Sequence, residues 1–330
     1  LIDSLEPGGA ERMAVSYANA LYKKTGFGAL ITTRAEGSLK DQLEEKVVYG
    51  FLKRKSTLDF KALWHLKKIV VSNKITHIQA HSSSIFFSVL LKIITPKIHI
   101  IWHDHYGKSE ILDQRPTLAL QIASLFINQI IAVNYKLEDW ANNKLWCKKV
   151  EYLPNFTGVN IVNTVVPTIL QGENGKRIVC LANLRPQKNH LLLLKVAKII
   201  NKSHPDWTFH LIGKDFNDDY SIMIKEKIKT LSLAKTVFVY GSKNDISAIL
   251  NQATIGILTS SSEGLPVAIL EYGFHKLPIV ATSVGEIPMV ISEDEGILVE
   301  SDCISDFVIW NESPDKQNMI GELFVYVKKE

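Results

Sequence analysis

Residues 260–273 combine two carboxylates with small and apolar residues at the start of a predicted helix. Glycine permits unusual backbone angles, and proline suits the first turn of a helix. Glu263 then lies in the loop before the helix, and Glu271 lies about two turns along it. Two carboxylates so placed can accept hydrogen bonds from hydroxyl groups at the two ends of one nucleotide-sugar, whereas an acid–base pair for hydrolysis would have to flank one bond. The backbone N–H groups of Gly264, Leu265 and Val267 can meet sugar oxygens or phosphate. Pro266, which has no N–H, is predicted to belong to the same donor-binding segment.

A second candidate loop carries Arg185 and Lys188 directly after a predicted strand. Arginine offers a planar fork of donors and lysine a compact charge, so the pair suits a diphosphate. The alternative is a surface loop that is basic by chance. We favour the functional interpretation, because ligands of parallel sheets bind beyond the carboxyl ends of the strands.

A glycine pair, Gly8-Gly9, lies between the first predicted strand and its helix. Two glycines let the backbone approach a ligand closely, and the helix N-terminus supplies N–H groups for a phosphate or a sugar hydroxyl. No Lys-Ser/Thr follows, and the full Gly-x-Gly-x-x-Gly pattern is absent, so this is neither a Walker loop nor a dinucleotide fingerprint. A plain tight turn explains two glycines about as well.

Five histidines fall in one region of the first half, at positions 77, 81, 99, 103 and 105. His81 and His103 end predicted strands, where a histidine beside a phosphate leaving group can donate a hydrogen bond or a proton. A metal site built on these histidines and Asp104 is the alternative, but a second clustered ligand pair and a His-Glu-x-x-His helix are absent. For His77, His99 and His105 we expect ordinary strand or surface positions.

Short β-branched runs alternate with amphipathic stretches, which predicts parallel sheets covered by helices. A helix with one buried face follows the glycine pair, since apolar residues recur there at helical spacing: Ala10, Met13, Ala14, Tyr17, Ala18 and Leu21. The predicted strands of the first half are 29–33, 47–52, 77–80, 99–102, 130–133 and 150–153. Those of the second half are 178–182, 208–212, 237–240, 254–259 and 279–281.

A chain of 330 residues fits two domains. We predict an N-terminal domain at 1–157, a Gly-, Pro-, Thr- and Asn-rich linker at 158–175, a C-terminal domain at 176–300 and a divergent or truncated tail at 301–330. The chain opens inside what looks like the end of a strand, without a signal peptide. Three widely spaced cysteines indicate free thiols in a reducing, cytoplasmic compartment.

Charge is distributed unevenly between the two halves. Residues 1–157 hold 21 basic and 14 acidic residues, whereas residues 158–330 hold 17 and 20. A basic first domain favours an anionic membrane surface or a phosphate-bearing acceptor, so we expect a cytoplasmic protein with peripheral contact at the inner face of the membrane. Solvated helix faces are the alternative for any one lysine pair, and no nucleic-acid motif is present. The uncharged stretch between Arg115 and Lys136 is interpreted as a buried helix followed by a strand, not as a membrane span.

The order and spacing of the motifs resemble glycosyltransferase family 4 over residues 3–300. No single motif decides the resemblance, but the combined spacing is specific. The matching motifs are Gly8-Gly9-Ala10-Glu11-Arg12, His103, Pro154-Asn155, Arg185-x-x-Lys188, Glu263-x7-Glu271 and Gly285-Glu286-Ile287-Pro288.

This resemblance implies an α/β protein of the GT-B fold, in which two Rossmann-like, doubly wound parallel-sheet domains face each other across a cleft. It implies transfer of a hexose-type sugar with retention of configuration, from a nucleotide-sugar with UDP as the expected nucleotide, and without a metal ion or other cofactor. The expected acceptor is a glycan or a lipid-linked molecule of surface polysaccharide biosynthesis.

The resemblance also implies roles for particular residues. Arg185 and Lys188 would stabilise the departing diphosphate, Glu263 would contact the sugar hydroxyls, and Glu271 the ribose. His103 would lie near the sugar and the leaving group, and Gly9, with Gly8, would line the phosphate side. The base would lie near Tyr240-Gly241-Ser242.

Three departures from the family pattern leave alternatives open. Ala182-Asn183 replaces the usual Gly-Arg, the first strand is short, and the sequence after Val299 does not resemble the family's closing helices. The alternatives are an inactive, truncated homologue that binds without turnover, a nucleotide-sugar epimerase with Asp104 as an extra acid, and a metal-dependent hydrolase.

Overall fold

Parallel strands alternate with helices in both halves of the chain, as the sequence pattern predicts. The computed structural model describes residues 1–107, 109–156, 167–292 and 296–300. The chain divides into two units, Leu1–Asn160 and Ile161–Glu330. The predicted tail at 301–330 and the first half of the predicted linker, 158–166, lie outside the described residues, so these boundaries stay predictions.

The first unit is built on parallel strands that are joined by helical crossovers. Its strands are β1 (Ala29–Thr32), β2 (Val48–Phe51), β3 (His77–His81), β4 (His99–Asp104), β5 (Gln129–Ala132) and β6 (Val150–Tyr152). Its helices are α1 (Gly9–Thr25), α2 (Phe60–Ser72), α3 (Ile85–Ile94), α4 (Leu118–Ser124) and α5 (Tyr135–Lys144). Short 3-10 turns cover Ser38–Gln42, Ser82–Ser84 and Ser109–Gln114.

Residues Leu1 and Ile2 connect the two sheets of the first unit. Strands β1 and β2 pair with each other, and β3 to β6 pair in sequence order. Ile2 forms a parallel bridge with Thr32 of β1, and the Leu1 carbonyl accepts a hydrogen bond of 2.9 Å from the His81 amide at the end of β3. The first residues therefore occupy a strand position, as predicted.

Helix α1 buries Met13, Ala14 and Ala18, as predicted, but its buried face is shifted relative to the predicted one. Val15 and Asn19 are buried, whereas Leu21 is 44% exposed. The cause is tertiary, because the Asn19 side chain donates to the Gln42 carbonyl at 2.8 Å and accepts from the Glu44 amide at 2.9 Å. The segment after β1 thus covers a side of the helix that helical periodicity alone does not reveal.

The second unit is a six-stranded parallel sheet with helices between its strands. The strands are β7 (Arg177–Leu181), β8 (Thr208–Ile212), β9 (Val237–Gly241), β10 (Ile255–Leu258), β11 (Ile279–Thr282) and β12 (Gly296–Val299). The helices are α6 (His190–Ser203), α7 (Asp219–Thr230), α8 (Ile246–Leu250), α9 (Val267–Phe274) and α10 (Ile287–Val290), and a 3-10 turn covers Pro186–Lys188. The strand order β12-β11-β10-β7-β8-β9 is that of a doubly wound sheet, and it reverses between β7 and β10.

Tyr272 fills the point where the strand order reverses. Strands β7 and β10 pair at only two positions, so backbone groups beyond them need other partners. The Tyr272 hydroxyl accepts from the Leu181 amide at 2.7 Å and lies 3.2 Å from the carbonyl oxygens of Val179 and Ile257. Gly256 leaves room for the ring, because a Cβ there would lie 2.5 Å from it.

Replacing Tyr272 by phenylalanine is therefore expected to lower the free energy of unfolding by about 1–3 kcal/mol, because it leaves the half-buried Leu181 amide without this partner. Urea unfolding of the two proteins at pH 7.5 measures this difference. Tyr22→Phe, at a half-buried tyrosine of α1, is the matched control. Equal stability of Tyr272→Phe and wild type would show that the hydroxyl does not close the gap.

The uncharged stretch between Arg115 and Lys136 contains α4 and then β5, so the predicted order of helix and strand is confirmed. The prediction that this helix is buried is wrong for one side of it, since Leu118, Ile122 and Leu125 are exposed. Within the described ranges, no helix is both long and apolar enough to cross a membrane.

Candidate functional site

The loops after β7 and β10 meet at the point where the strand order reverses. The Ser261 amide donates to the Gln187 carbonyl at 2.9 Å, and the Thr259 hydroxyl donates to the Lys188 carbonyl at 3.1 Å. These bonds fix the backbone of one predicted loop against the other. The residues predicted from two distant sequence motifs therefore lie together at the carboxyl edge of one sheet, where ligands of doubly wound sheets bind.

Lys188 and Glu263 form the charged centre of this site. The Lys188 ammonium donates to Oε1 of Glu263, and the Ser260 hydroxyl donates to the same oxygen at 2.6 Å. The Glu263 residue is only 6% exposed. A buried carboxylate is stable only with such partners, so Lys188 and Ser260 hold both its charge and its orientation. The arrangement presents a cation beside a fixed hydrogen-bond acceptor, as binding of a phosphorylated sugar requires.

Arg185 directly precedes the 3-10 turn that ends at Lys188. No described hydrogen bond or ion pair joins it to Glu263. Its guanidinium stacks on the Phe216 ring, 3.5 Å from the centroid, and lies 4.0 Å from an Asp218 carboxylate oxygen. The side chain is about half exposed, and stacking of this kind orients a guanidinium without neutralising it. Arg185 is therefore available to a ligand at the surface, whereas Lys188 is engaged inside the site.

Helix α9 begins one residue later than predicted, at Val267, with Pro266 as its N-cap. Glu271 is consequently its fifth residue and lies little more than one turn into the helix, so the prediction of two turns is wrong. Leu265 and Val267 are buried, and Gly264 is half-buried. The apolar side chains therefore anchor this segment in the core, and only its backbone is left for ligand contact.

Gly285 supports the loop that carries Glu263. Its φ is +59°, a conformation that favours glycine, and a Cβ there would lie 2.3 Å from the Glu263 carbonyl oxygen. The next residue donates its amide to the Gly264 carbonyl at 3.1 Å. The motif Gly285-Glu286-Ile287-Pro288 thus has a structural function, because its backbone packs against the loop that carries Glu263 and forms a hydrogen bond with it.

Tyr240 and Gly241 end β9, as predicted. The Tyr240 hydroxyl accepts from the Gln171 amide at 3.0 Å and lies 3.1 Å from Nδ1 of His210. Gly241 has a φ of +69° and a free space around its Cα. Tyr240 therefore stabilises the end of its own strand through its hydroxyl, and contact of this turn with a base stays a prediction.

In the first unit, His81 and His103 lie at the carboxyl ends of neighbouring strands and are paired in register. Both are buried. Nδ1 of His103 lies 3.0 Å from the Gln79 amide nitrogen, which donates, so the ring proton is on Nε2. That Nε2 is buried and has no hydrogen-bond partner among the described residues. The edge of the Tyr17 ring packs against His103, with centroids 5.1 Å apart, and adds an apolar wall.

His105 belongs to the same cluster, so the prediction of an ordinary surface histidine is wrong for this residue. Its Nε2 lies 3.0 Å from Nδ1 of His81, and its ring centroid is 4.1 Å from that of His103. The sequence predicts this strand to end at residue 102, whereas β4 extends to Asp104, so the sequence does not show on which side residue 105 lies. His77 and His99 stack on each other at exposed strand positions, as predicted.

Burial keeps the histidine cluster neutral. It lowers the pKa of His103 to about 3, and it lowers the pKa values of His81 and His105 well below their ordinary value. The nitrogen ligand atoms of the three rings lie within 4.8 Å of one another. Because His103 is neutral at pH 7, its contribution to chemistry would be a hydrogen bond and not a proton.

The low pKa of His103 also makes stability depend on pH. A histidine with a depressed pKa takes up its proton only when the chain unfolds, so its contribution is complete above pH 6.5 and is lost as the pH falls. At pH 5.5 one such group lowers the free energy of unfolding by about 1.4 kcal/mol relative to pH 8. In His103→Asn we expect the loss between pH 8 and 5.5 to be smaller by this amount. Urea unfolding at both pH values, with the exposed His77→Asn as control, measures it; an unchanged loss in His103→Asn would contradict the account.

Asp104 is not available as an additional acid. Its two carboxylate oxygens accept hydrogen bonds of 2.6 and 2.9 Å from the Arg115 guanidinium, and both residues are buried. The guanidinium also lies over the Trp140 ring, 4.3 Å from the centroid. An ion pair enclosed in this way fixes the loop after β4 and leaves neither the epimerase nor the hydrolase alternative with its expected carboxylate.

The glycine pair opens α1, as predicted. Gly8 is the N-cap and Gly9 the first helical residue. The cap has extended backbone geometry, and a Cβ at Gly8 would lie 2.2 Å from the Glu11 carboxylate, which folds back over it.

Several functional contacts were not predictable from motifs, notably Gln79 and Tyr17 at His103 and Phe216 at Arg185. The buried glycine of β10 is the one sequence signal for the strand gap that Tyr272 fills.

Comparison with known proteins finds glycosyltransferases among the relatives of this chain. Residues 167–308 match the family described as Glycosyl transferases group 1. An uncharacterized glycosyltransferase of Haemophilus influenzae is 27% identical over 311 residues, which cover 91% of this chain and 85% of the relative. The Escherichia coli UDP-Gal:alpha-D-GlcNAc-diphosphoundecaprenol alpha-1,3-galactosyltransferase is 26% identical over 86% of this chain and 78% of its own length.

Solved structures agree with this assignment at the level of the fold. Anabaena HepE in complex with UDP and glucose has a TM-score of 0.68 at 17% identity, covering 92% of this chain and 86% of HepE. Sucrose-phosphate synthase from Thermosynechococcus elongatus has a TM-score of 0.70 at 14% identity, covering 92% and 83%. The chain is therefore a glycosyltransferase with the GT-B fold, and its residues 167–308 match the glycosyl transferases group 1.

Proposed function

We propose that this protein transfers a hexose-type sugar from a nucleotide-sugar, with UDP as the nucleotide, to a glycan or lipid-linked acceptor, and that the sugar keeps its anomeric configuration. The observation that carries the proposal is the contact between Lys188 and Glu263 at the carboxyl edge of the second sheet. It combines a cation for a diphosphate with a fixed acceptor for sugar hydroxyls in the one place where such sheets bind ligands.

The choice of UDP rests on the relatives. The E. coli relative is named as a UDP-Gal-dependent enzyme that acts on a diphosphoundecaprenol, and HepE has been crystallised with UDP and with glucose. A human relative, which is named as part of a phosphatidylinositol N-acetylglucosaminyltransferase, is 26% identical over 89% of this chain. Lipid-linked acceptors in two of these relatives support an acceptor of the same class here.

The chemical step needs a stabilised leaving group. The bond between the anomeric carbon and the β-phosphate oxygen breaks, the acceptor oxygen bonds to the same carbon on the same face, and the acceptor's proton passes to the departing phosphate. Arg185 and Lys188 neutralise the charge that develops on the diphosphate, so we propose that no metal ion is required. Glu263 accepts hydrogen bonds from the sugar hydroxyls, and His103 donates a hydrogen bond to the sugar. Glu271 binds the ribose.

We further propose that the protein is cytoplasmic and peripheral to the membrane. The excess of basic residues in the first half of the chain supports contact with an anionic membrane surface, where a lipid-linked acceptor would lie.

Donor hydrolysis tests the proposed reaction without knowledge of the acceptor. The protein is incubated with UDP-glucose, UDP-galactose or UDP-N-acetylglucosamine in EDTA, and the released sugar is followed by proton NMR. We expect slow release of the α-anomer from one donor before mutarotation. Initial release of the β-anomer would overturn retention, and release that requires added Mg²⁺ or Mn²⁺ would overturn metal independence.

A further inference from the structure

Three helices of the first unit lie side by side. Residues 1–2 join its two sheets, so the strands follow one another in the order β2, β1, residues 1–2, β3, β4, β5 and β6. The crossovers that contain α2, α3 and α4 all step in the same direction along this series, and right-handed connections then place the helices on the same side. Helix α3 packs against both α2 and α4. Their outer surfaces therefore form one continuous area.

This outer area is apolar, although it is not covered. Large apolar side chains on it are more than half exposed in every case. We call it the α2–α4 face, and its residues are Phe60, Trp64, Val71, Ile93, Leu118, Ile122, Leu125 and Trp146. Trp146 belongs to it because its amide donates to the Ser124 hydroxyl at the end of α4. On α3 the outward stripe continues with Phe86, Val89 and Leu90, which are half-buried.

Basic residues surround the α2–α4 face. Lys61, Lys67 and Lys68 lie on α2 itself, and none of the three helices contains an acidic residue. The Lys67 ammonium lies 4.8 Å from the centroid of the Trp64 ring, so its stem covers apolar surface while its charge stays at the edge. On the far side, Lys144 and Lys148 flank Trp146 in sequence.

An open groove runs beside the first turn of α2. Its volume is about 630 Å³, and Lys53, Lys55 and Lys61 line it together with Leu58 and Phe60. Cationic groups above exposed apolar side chains match the layered chemistry of a bilayer surface, where phosphates lie outside acyl chains. Tryptophan is also enriched at this depth of membranes.

We propose that the α2–α4 face is the surface by which this protein binds an anionic lipid bilayer, with the apolar residues inserted at the acyl boundary and the lysines on lipid phosphates. This deepens the membrane contact under the proposed function, which rests only on total charge, by assigning it to particular side chains. Self-association is disfavoured, because lysines lie along both edges of the face and a two-fold interface would bring one basic edge against the other, without an acidic residue on α2, α3 or α4 to pair with them.

Vesicle binding of the full chain tests the proposal. Vesicles of equal parts phosphatidylglycerol and phosphatidylcholine are compared with phosphatidylcholine alone by flotation in low salt. We expect binding to the anionic vesicles only, with a blue shift of tryptophan emission. Lys61→Glu/Lys67→Glu/Lys68→Glu should lower the partition coefficient about 100-fold, at about one kcal/mol for each basic residue. Phe60→Ser/Trp64→Ser should lower it at least about tenfold through lost apolar burial.

Matched variants on the second unit control for charge and hydrophobicity. Lys195→Glu/Lys198→Glu/Lys202→Glu makes the same change on α6, and Phe274→Ser removes one exposed aromatic ring, and both should bind vesicles like wild type. Equal binding by wild type and both face variants would overturn the proposal, as would wild-type dimerisation that Phe60→Ser/Trp64→Ser abolishes. Calorimetry with UDP on the same proteins is independent of this result, so failure of the donor site and failure of the membrane surface are distinguishable.

Discussion

Replacing Lys188 by alanine is expected to lower kcat/KM by about 100- to 1000-fold, the loss typical for one electrostatic group at a transition state. The reason is that Lys188 carries the one cation held inside the described part of the donor site, hydrogen-bonded to Glu263. Its charge would be needed most when the nucleoside diphosphate departs. Steady-state kinetics with the donor identified by NMR measure the effect.

A second cause of inactivity must be separated from this one. Without Lys188, the buried Glu263 carboxylate loses its cation, which itself destabilises the loop. The double variant Lys188→Ala/Glu263→Gln removes both charges and relieves that burial. The Kd for UDP separates the two roles, because Glu263→Gln alone is expected to leave that Kd nearly unchanged. If Lys188 acts on the diphosphate, UDP binding stays weak in the double variant, whereas recovery of UDP affinity in the double variant would show that Lys188 only neutralises Glu263. Lys198→Ala, at an exposed lysine of α6, is the control for the substitution itself.

Glu263→Gln is expected to lower kcat by about 100-fold while the Kd for UDP changes by less than about threefold. Glutamine keeps the size of the side chain and can still accept from Ser260, so the loop should retain its conformation. The lost element is the charge, which strengthens hydrogen bonds from sugar hydroxyls. Because UDP lacks the sugar, its affinity reports on the rest of the site.

Stopped-assay kinetics and calorimetry on the same preparation give the two numbers. Glu226→Gln, on α7 in the same unit, is the matched control and should leave both unchanged. A large loss of UDP affinity in Glu263→Gln with unchanged kcat would assign Glu263 to the nucleotide and contradict its assignment to the sugar.

The sequence pattern predicts the strands well because each is a short β-branched run between turn residues. Two features escape it for tertiary reasons. Strand β12 (Gly296–Val299) follows the last predicted strand and is itself not predicted; it is held by pairing with β11. The exposed side of α4 looks like core from its composition, since an apolar residue on a surface helix and one in the core have the same sequence signal.

In the candidate site, too, some contacts are predictable from the sequence and others depend on tertiary structure. Lys188 and Glu263 are 75 residues apart, yet their contact is predictable, because both follow strands that meet where the sheet order reverses. The positions of Gln79 and His105 around His103 are not predictable in this way. They depend on strand register and on the extension of β4 to Asp104, neither of which is specified by local residue types. Likewise, the pairing of Asp104 with Arg115 removes a carboxylate that looks catalytic in the sequence.

Calorimetric titration with UDP, GDP and ADP in EDTA tests the central claim most directly. Wild type is compared with Arg185→Ala/Lys188→Ala and with the control Lys195→Ala/Lys198→Ala. We predict that one nucleotide binds wild type and the control with a Kd of about a micromolar, and that the double variant at the site loses this binding. Failure of all three nucleotides to bind wild type, or equal binding by the Arg185→Ala/Lys188→Ala variant, would contradict the assignment of the donor site to the carboxyl edge of the second sheet.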